Sequence, residues 1–303
     1  MSSTTYFSGG TERHWQYPKE FIEDENLGRR HRPSSEVRHI KRTDKKLVYD
    51  AIYSFDQYGR RYAEVLNPKK RNKFLILFGC SYTYGNGLND NQTLNYFLAK
   101  KLPNFYPYNY AIGASGSNTM LALIQENQFH NQISQKVGIF IYVYINAHID
   151  RAAGLLPSVR WNKSTPNFDY TDDGHFIRNG SLESAHPLRL QFYNFIDRLL
   201  TFLDRRKIIF PKVGTKEIAY TCQLIAESKT EFLKQYPDGQ FYTYIHPLGR
   251  MEPRIEHCLL QKNVPILHSK SLPEGSTILG DGHPNEKANN LITDELSQII
   301  RNL

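Results

Sequence analysis

The pattern of apolar and polar positions changes character near residue 74. Residues 1–45 are polar, charged and without period, and predict an extended arm with short local structure. Residues 47–55 then alternate, with Leu47, Tyr49, Ala51, Tyr53 and Phe55 on one face, as a half-buried strand does. Asp56-Gln-Tyr-Gly59 supplies a turn after it. From residue 74 onward, short apolar runs alternate with stretches of helical period. The runs predict strands at 74–78, 105–111, 137–145, 240–246 and 264–268. The periodic stretches predict helices near 90–101, 118–130, 187–204, 215–236 and 252–262, and a last one after Pro284. In the 215–236 stretch Ile218, Cys222, Ile225 and Phe232 fall near one face, and the last helix carries Leu291, Ile292, Leu296, Ile299 and Ile300 at helical spacing. Five strands with interposed helices imply an α/β fold with a doubly wound parallel sheet. Residues 150–185, rich in Gly, Pro, Asn and Asp, read as a long insertion.

The 303 residues are enough for one large α/β domain or a domain with an appendage. The composition shift divides them into a basic N-terminal arm with a small β element, residues 1–73, and a main domain, residues 74–303, with its insertion near 150–185. Cys80, Cys222 and Cys258 form no disulfide framework and no paired metal motif, so no disulfide is expected. The net charge of +8 is uneven: residues 1–73 hold 16 Lys/Arg against 10 Asp/Glu, and the remaining 230 hold 22 against 20. A basic segment of this kind favours an anionic surface or polymer, or is a solvated extension. No nucleic-acid-binding motif accompanies it. The longest apolar run, Val137–Ile145, is nine residues, too short to span a bilayer as a helix. The N-terminus lacks the charged and apolar regions of a signal peptide. The chain reads as soluble, either cytoplasmic or exported with its signal or anchor missing from this sequence. Oligomeric state stays open.

The candidate chemistry lies where strands end. Phe74-Leu-Ile-Leu-Phe-Gly-Cys-Ser-Tyr-Thr-Tyr-Gly85 is a buried strand followed by a tight turn opening into a helix. Ser81 on that turn stands at the carboxyl edge of the sheet, where open α/β folds place their ligands, near the unpaired N–H groups of a helix start. Neighbouring side chains on an extended segment point oppositely, so Cys80 faces the core while Ser81 faces out. The glycines of Ala111-Ile-Gly-Ala-Ser-Gly-Ser-Asn118 permit close backbone approach, so the N–H of Gly116 can point into a pocket. Asn146 ends the most apolar strand, in Tyr144-Ile-Asn-Ala-His148, and its amide could donate to a developing negative oxygen. His148 reads as a structural histidine. In Gly280-Asp-Gly-His-Pro-Asn285, residues two apart on extended chain point the same way, and Pro284 biases His283 toward extended geometry. Asp281 can therefore reach the His283 ring and fix its tautomer, with Asn285 holding the loop. Each segment taken alone is also an ordinary turn.

Together, and in this order, the four segments resemble the SGNH/GDSL hydrolase superfamily. Gly79-Cys80-Ser81 with Gly85 is similar to its first block and Ala114-Ser-Gly116 to its second. Asn146 is similar to its third block and Asp281-Gly-His283-Pro284 to its last. The resemblance covers residues 74–303. Cys80 stands where the family carries Asp, the third block lacks its usual Gly and Asp, and the last motif is one residue shorter than Asp-x-x-His. The resemblance implies a flavodoxin-like sheet with helices on both faces, plus the N-terminal extension. It also implies a serine esterase in which Ser81 attacks an ester carbonyl, His283 moves the proton and Asp281 orients His283. The N–H groups of Ser81 and Gly116 and the Asn146 side chain would bind the oxyanion, with no metal and no cofactor. The substrate expected is a small-molecule, lipid or glycan ester with a small acyl group, a carbohydrate O-acetyl group being one candidate. Trp161, Phe168, Tyr170 and Phe176 of the insertion are placed to cover the site or to pack the insertion itself. An O-acyltransferase using the same serine, a non-catalytic binding module on this scaffold, and a binder led by the basic arm are the alternatives.

Overall fold

The computed structural model describes residues 3–8, 11–16, 20–159, 162–171, 174–202 and 211–303. The alternation seen at residues 47–55 belongs to a larger β region. Strand β1 (Ser3–Ser8) pairs with β2 (Thr11–Gln16), while β3 (Phe21–Asp24) and β4 (Gly28–His31) form a separate two-stranded ribbon. Strand β5 (Ser35–Thr43) joins β2 to β6 (Lys46–Phe55), giving an antiparallel sheet of order β1-β2-β5-β6. The described part of residues 1–45 is thus not the extended arm that its polarity suggests. The inward positions of β5 are Val37, His39 and Lys41, all buried, so a strand with a buried face reads as polar. On β6, Tyr49, Ala51, Tyr53 and Phe55 are buried as the alternation predicts, but Leu47 is exposed.

The β6 end leads through Gly59 (φ +77°) into the main sheet. Strand β7 (Lys73–Phe78) is followed by the one-turn helix α1 (Ser81–Tyr84) and by α2 (Leu94–Lys101). Then come β8 (Phe105–Asn109), α3 (Ser117–Gln125), α4 (Phe129–Gln132) and β9 (Val137–Tyr144). The predicted insertion is structured: it contains α5 (Ala147–Ala152), α6 (Leu156–Val159), the hairpin β10 (Pro166–Tyr170) with β11 (Phe176–Ser181), and α7 (Leu182–Ala185). The chain continues through α8 (Pro187–Phe202), α9 (Thr215–Gln235), β12 (Gln240–Ile245), α10 (Pro253–Gln261), the two-residue β13 (Ile266–Leu267) and α11 (Glu286–Arg301).

The five-stranded sheet is wholly parallel, in the order β8-β7-β9-β12-β13. Numbered along the chain this is 2-1-3-4-5, the flavodoxin-like doubly wound order. Its two cores result from the period-two geometry of a strand. Phe74, Ile76 and Phe78 enter the core under α3, α9 and α10, and Leu75 and Leu77 enter the core under α2 and α11. All five are fully buried, so truncating Phe74 to Ala would cost about 3–5 kcal/mol. The chain reverses its direction of winding between β7 and β9, and such a switch point opens a crevice at the carboxyl ends of the strands.

Two features depart from the sequence reading. Cys222 on α9 and Cys258 on α10 form a disulfide, against the expectation of none. They lie 36 residues apart on two helices, a spacing that no local motif signals. The basic residues of the first 73 positions are also extensively used inside the fold. Arg30 pairs with Asp24 and Glu126, Arg60 with Asp56, and Arg61 with Asp90. Arg71 donates to the carbonyls of Ala99, Leu102 and Phe105. Lys41 pairs with Asp281. No helix among the described residues is long and apolar enough to cross a membrane.

Candidate active site

The Ser81 turn is built by the residues around it. At Gly79 a Cβ would meet Thr83 Oγ1 at 2.2 Å and the Val143 carbonyl oxygen at 3.0 Å, so only glycine lets the chain pass so close to β9. Cys80, extended and 99% buried, turns its thiol into the core. Ser81 then starts α1, and Gly85 (φ +87°) ends it, its N–H donating to the Ser81 carbonyl at 3.1 Å. The turn is braced from below by Asn109, whose Nδ2 donates to the Thr83 carbonyl at 2.9 Å.

The loop before α11 brings the other two predicted residues to it. The Ile278 N–H donates to the His283 carbonyl at 2.8 Å, and the Asp281 N–H donates to the Ile278 carbonyl at 3.1 Å, closing a tight reversal. Gly282 sits within it at φ +88°. Asp281 therefore reaches His283 across a left-handed turn rather than along the extended chain foreseen from the spacing. Asn285 caps α11 by accepting from the Ala288 N–H at 3.0 Å, and its Nδ2 donates to the carbonyls of Gly275 and Thr277.

His283 Nε2 lies 2.8 Å from Ser81 Oγ, 202 residues away in sequence, and His283 Nδ1 bonds the Asp281 carboxylate. The Asp281 side chain is 1% exposed and that of His283 is 19% exposed. Burial alone would push the Asp281 carboxyl up, but its hydrogen bond to His283, the His283 charge, and then the bond and charge of Lys41 outweigh it, holding the group well below the usual carboxylate range. An ionised Asp281 accepts the Nδ1–H, which leaves the Nε2 lone pair to accept the Ser81 hydroxyl proton.

The predicted oxyanion groups lie on neighbouring loops of the same sheet edge. Gly116 precedes α3 and Asn146 precedes α5. Ser115 Oγ donates to the Gly79 carbonyl at 2.6 Å, and Arg151 Nη1 donates to the Ser115 carbonyl at 3.0 Å, tying the Ser81 turn, the Gly116 loop and α5 together. A Cβ on Gly116 would lie 2.9 Å from the Arg151 Cβ, so this loop too needs glycine. The Asn146 Oδ1 accepts from the Glu252 N–H at 2.8 Å and from the Tyr144 hydroxyl at 3.3 Å. A carbonyl oxygen so engaged fixes the amide and leaves Nδ2 as donor. Among the described residues, neither the N–H of Ser81, nor that of Gly116, nor the Asn146 Nδ2 has a hydrogen-bond partner.

Several residues around the site escaped the sequence reading. Lys41 of β5 donates to Asp281 Oδ1 and approaches the Gly280 carbonyl at 3.4 Å. The Tyr82 ring lies 5.2 Å from that of His283 and 5.0 Å from that of His246, at the end of β12. Burial lowers His246 to about 3, so the ring is neutral. Its Nδ1 accepts the Leu248 N–H at 3.1 Å. His148 is fully buried, its Nδ1 2.7 Å from the Tyr142 hydroxyl, and burial and then Arg151 hold it well below the usual imidazole range. This is a structural environment. No motif marks Lys41 or His246, because Lys41 meets Asp281 across 240 residues and His246 meets Tyr82 from another strand; His148 is the structural histidine that the sequence suggests.

The insertion aromatics are not gathered over Ser81. Phe168 and Phe176 are buried within their hairpin and against Tyr220 of α9, and Tyr170 packs on Phe176. Trp161 lies outside the described residues. No group of three or more His, Cys, Asp or Glu side chains among the described residues is arranged to hold a metal ion.

No family model and no curated protein matches this chain. Solved structures do resemble it. An acetyl xylan esterase from Butyrivibrio proteoclasticus is 12% identical over 77% of this chain, with a TM-score of 0.45, and the chain spans 64% of that protein's length. A family two carbohydrate esterase from Clostridium thermocellum, in complex with cellohexaose, is 12% identical over 81% of this chain and 67% of its own, with a TM-score of 0.44. An esterase from Pseudoalteromonas sp. is 13% identical over 76% of this chain and 97% of its own, with a TM-score of 0.43.

Proposed function

We propose that this protein is a serine ester hydrolase of the SGNH type, with the catalytic domain in residues 74–303. The observation that carries the reading is the relay from Ser81 through His283 to a buried, ionised Asp281 at the carboxyl edge of a parallel sheet. Ser81 Oγ attacks the ester carbonyl carbon while its proton passes to His283 Nε2. The oxygen that becomes negative is met by the N–H groups of Ser81 and Gly116 and by Asn146 Nδ2, three donors with no other partner among the described residues. Collapse of the tetrahedral intermediate expels the alcohol, which takes its proton from His283. Water then attacks the acyl-enzyme, giving its proton to His283, and the second collapse releases the carboxylic acid and returns the proton to Ser81. Asp281 keeps the ring in the tautomer that both steps need.

Within this class the substrate we propose carries a short acyl group, and a carbohydrate O-acetyl ester is the form we favour. His283 and Ser81 remain partly open to solvent. The concavities lined by Leu27, His31 and Tyr110 and by Tyr170, Gly174, Phe176 and Glu227 do not include Ser81. An acetyl group fits an open edge and needs no channel.

The test is labelling with a fluorophosphonate probe, together with turnover of p-nitrophenyl esters of increasing chain length and of an acetylated oligosaccharide, beside Ser81→Ala and His283→Ala. The expected result is labelling at Ser81, loss of turnover in both variants and preference for acetyl. Unchanged turnover in Ser81→Ala would refute the nucleophile. Adding a glycan acceptor separates hydrolysis from transfer, since transfer in excess of hydrolysis would identify an acyltransferase.

A further inference from the structure

The Asp281 carboxylate has two oxygens, and each meets its own donor. One is His283, through Oδ2. The other is Lys41, through Oδ1, and it comes from the N-terminal sheet, 240 residues earlier in the chain. Lys41 is 7% exposed in its side chain and Asp281 is 1% exposed. A buried ammonium costs several kcal/mol to desolvate unless it is well paired, so this lysine is a committed part of the structure rather than a surface charge that has drifted inward. Its strand is held in turn by the Ser81 turn. His39, two residues before Lys41 on the same face, lies 3.1 Å by Nδ1 from the Tyr53 hydroxyl, which accepts the Gly87 N–H at 2.7 Å. The Tyr49 hydroxyl accepts from Asn86 Nδ2 at 3.3 Å. The N-terminal sheet therefore grips both the nucleophile turn, through residues 86 and 87, and the acid, through Lys41.

We propose that Lys41 is a positioning residue of the active site, fixing the Asp281 carboxylate and tempering its pull on His283. The inference rests on the esterase reading above. It goes beyond that reading by assigning the N-terminal sheet a part in the site. With both oxygens bonded, the carboxylate cannot rotate away from Nδ1, and the imidazole keeps the orientation in which Nε2 faces Ser81. The Lys41 cation also divides the field of the carboxylate, so imidazolium is stabilised less than it would be by an undivided Asp281. The other groups facing His283 do not change this sense. Tyr82 of α1 is held protonated by burial, with Cys80 and Asp281 adding to the rise and Arg151 opposing it. His246 of β12, beyond Tyr82, is neutral. Arg151 of α5 adds positive charge that does not depend on Lys41.

The experiment compares wild type, Lys41→Met, Lys41→Arg and Lys41→Gln. It tracks kcat, KM and the pH profile of kcat/KM with a p-nitrophenyl acetate substrate, and repeats the set in an Asp281→Asn background. Lys41→Met is expected to lower kcat by about 10²-fold through misplacement of the acid, with KM little changed. It should also move the acidic limb of kcat/KM upward by about one pH unit, as removal of a nearby like charge does. Lys41→Arg, which keeps the charge, should keep the limb within a few tenths of wild type. In the Asp281→Asn background the Lys41 change should no longer lower kcat by this factor, since the positioning acts through the Lys41–Asp281 bond. A folded Lys41→Met enzyme with an unmoved limb and near-wild-type kcat would overturn the proposal, and so would an equal fall in kcat on adding Lys41→Met to Asp281→Asn. If Lys41→Met does not fold, Lys41→Gln is read in the same way. Failure of wild type itself to turn over acetate esters or to label at Ser81 would instead overturn the esterase reading, so the two failures are distinct.

Discussion

Replacing Asp281 by Asn removes a charge and almost no volume, and the hydrogen bonds around the carboxylate set the consequences. The carboxylate accepts two of them, His283 Nδ1–H on Oδ2 and Lys41 Nζ–H on Oδ1. An amide has one acceptor oxygen and one donor nitrogen. If its oxygen faces Lys41, its NH₂ faces Nδ1, which must then give up its proton; the ring proton moves to Nε2 and points at Ser81, and the base is lost. If its oxygen faces His283, the NH₂ confronts the ammonium. The first outcome predicts a fall in kcat on the order of 10⁴-fold, which corresponds to about 5 kcal/mol of barrier, with KM little affected because no substrate contact is removed. Both outcomes leave a 93% buried lysine without its carboxylate, which predicts about 3–5 kcal/mol of destabilisation. Steady-state kinetics on an acetate ester, the rate of fluorophosphonate labelling and urea denaturation measure the three quantities independently. A variant with kcat within tenfold of wild type and an unmoved denaturation midpoint would show that Asp281 neither orients His283 nor neutralises Lys41.

Asn146→Ala should lower kcat and kcat/KM alike by about 10²–10³-fold, measured on the same ester; an effect confined to KM would make Asn146 a substrate contact rather than an oxyanion donor. Because the folded-state pKa of Asp281 is depressed, its contribution to stability is complete above the unfolded value of about 3.9 and is lost as pH falls below that toward the folded value. Urea midpoints between pH 2 and 6 should therefore show an acid decline that Asp281→Asn reduces. Reducing the Cys222–Cys258 bridge, whose residues lie 36 apart, should cost about 4 kcal/mol by loop entropy; identical urea curves with and without reductant would argue against the bridge. Gly79→Ala drives a methyl into Thr83 Oγ1 at 2.2 Å and Val143 O at 3.0 Å, and should cost about 1–3 kcal/mol while slowing labelling of Ser81; an unaltered labelling rate would mean that the turn relaxes without moving the nucleophile.

The legible and illegible parts of the chain divide along one physical line. The central strands are buried on both faces, so they appear as unbroken apolar runs such as Phe74–Phe78 and Val137–Tyr144, and their order along the chain already implies the parallel sheet. Ser81, Asp281 and His283 were legible because each sits in a turn that needs glycine, and glycine at Gly79, Gly85 and Gly282 is visible in a sequence. Lys41 was not, because β5 buries His39 and Lys41 where a strand usually buries leucine or valine. An inward polar residue looks the same on paper as an outward one until its partner is known, and the partner of Lys41 is 240 residues away. The charge imbalance of residues 1–73 misled in the same way. Part of that positive charge is turned inward: Arg30 and Arg60 pair locally with Asp24 and Asp56, while Arg30 with Glu126, Lys41 with Asp281, Arg61 with Asp90 and Arg71 with backbone carbonyls tie residues 1–73 to the main domain. The insertion makes the converse point. From sequence Phe168 and Phe176 could either cover the site or pack the insertion; they pack on each other, and Phe176 on Tyr220, because aromatic side chains on a short two-stranded ribbon are needed to give it any core at all. Composition reports which groups a segment owns, and only pairing decides whether they serve the solvent, the fold or the reacting bond.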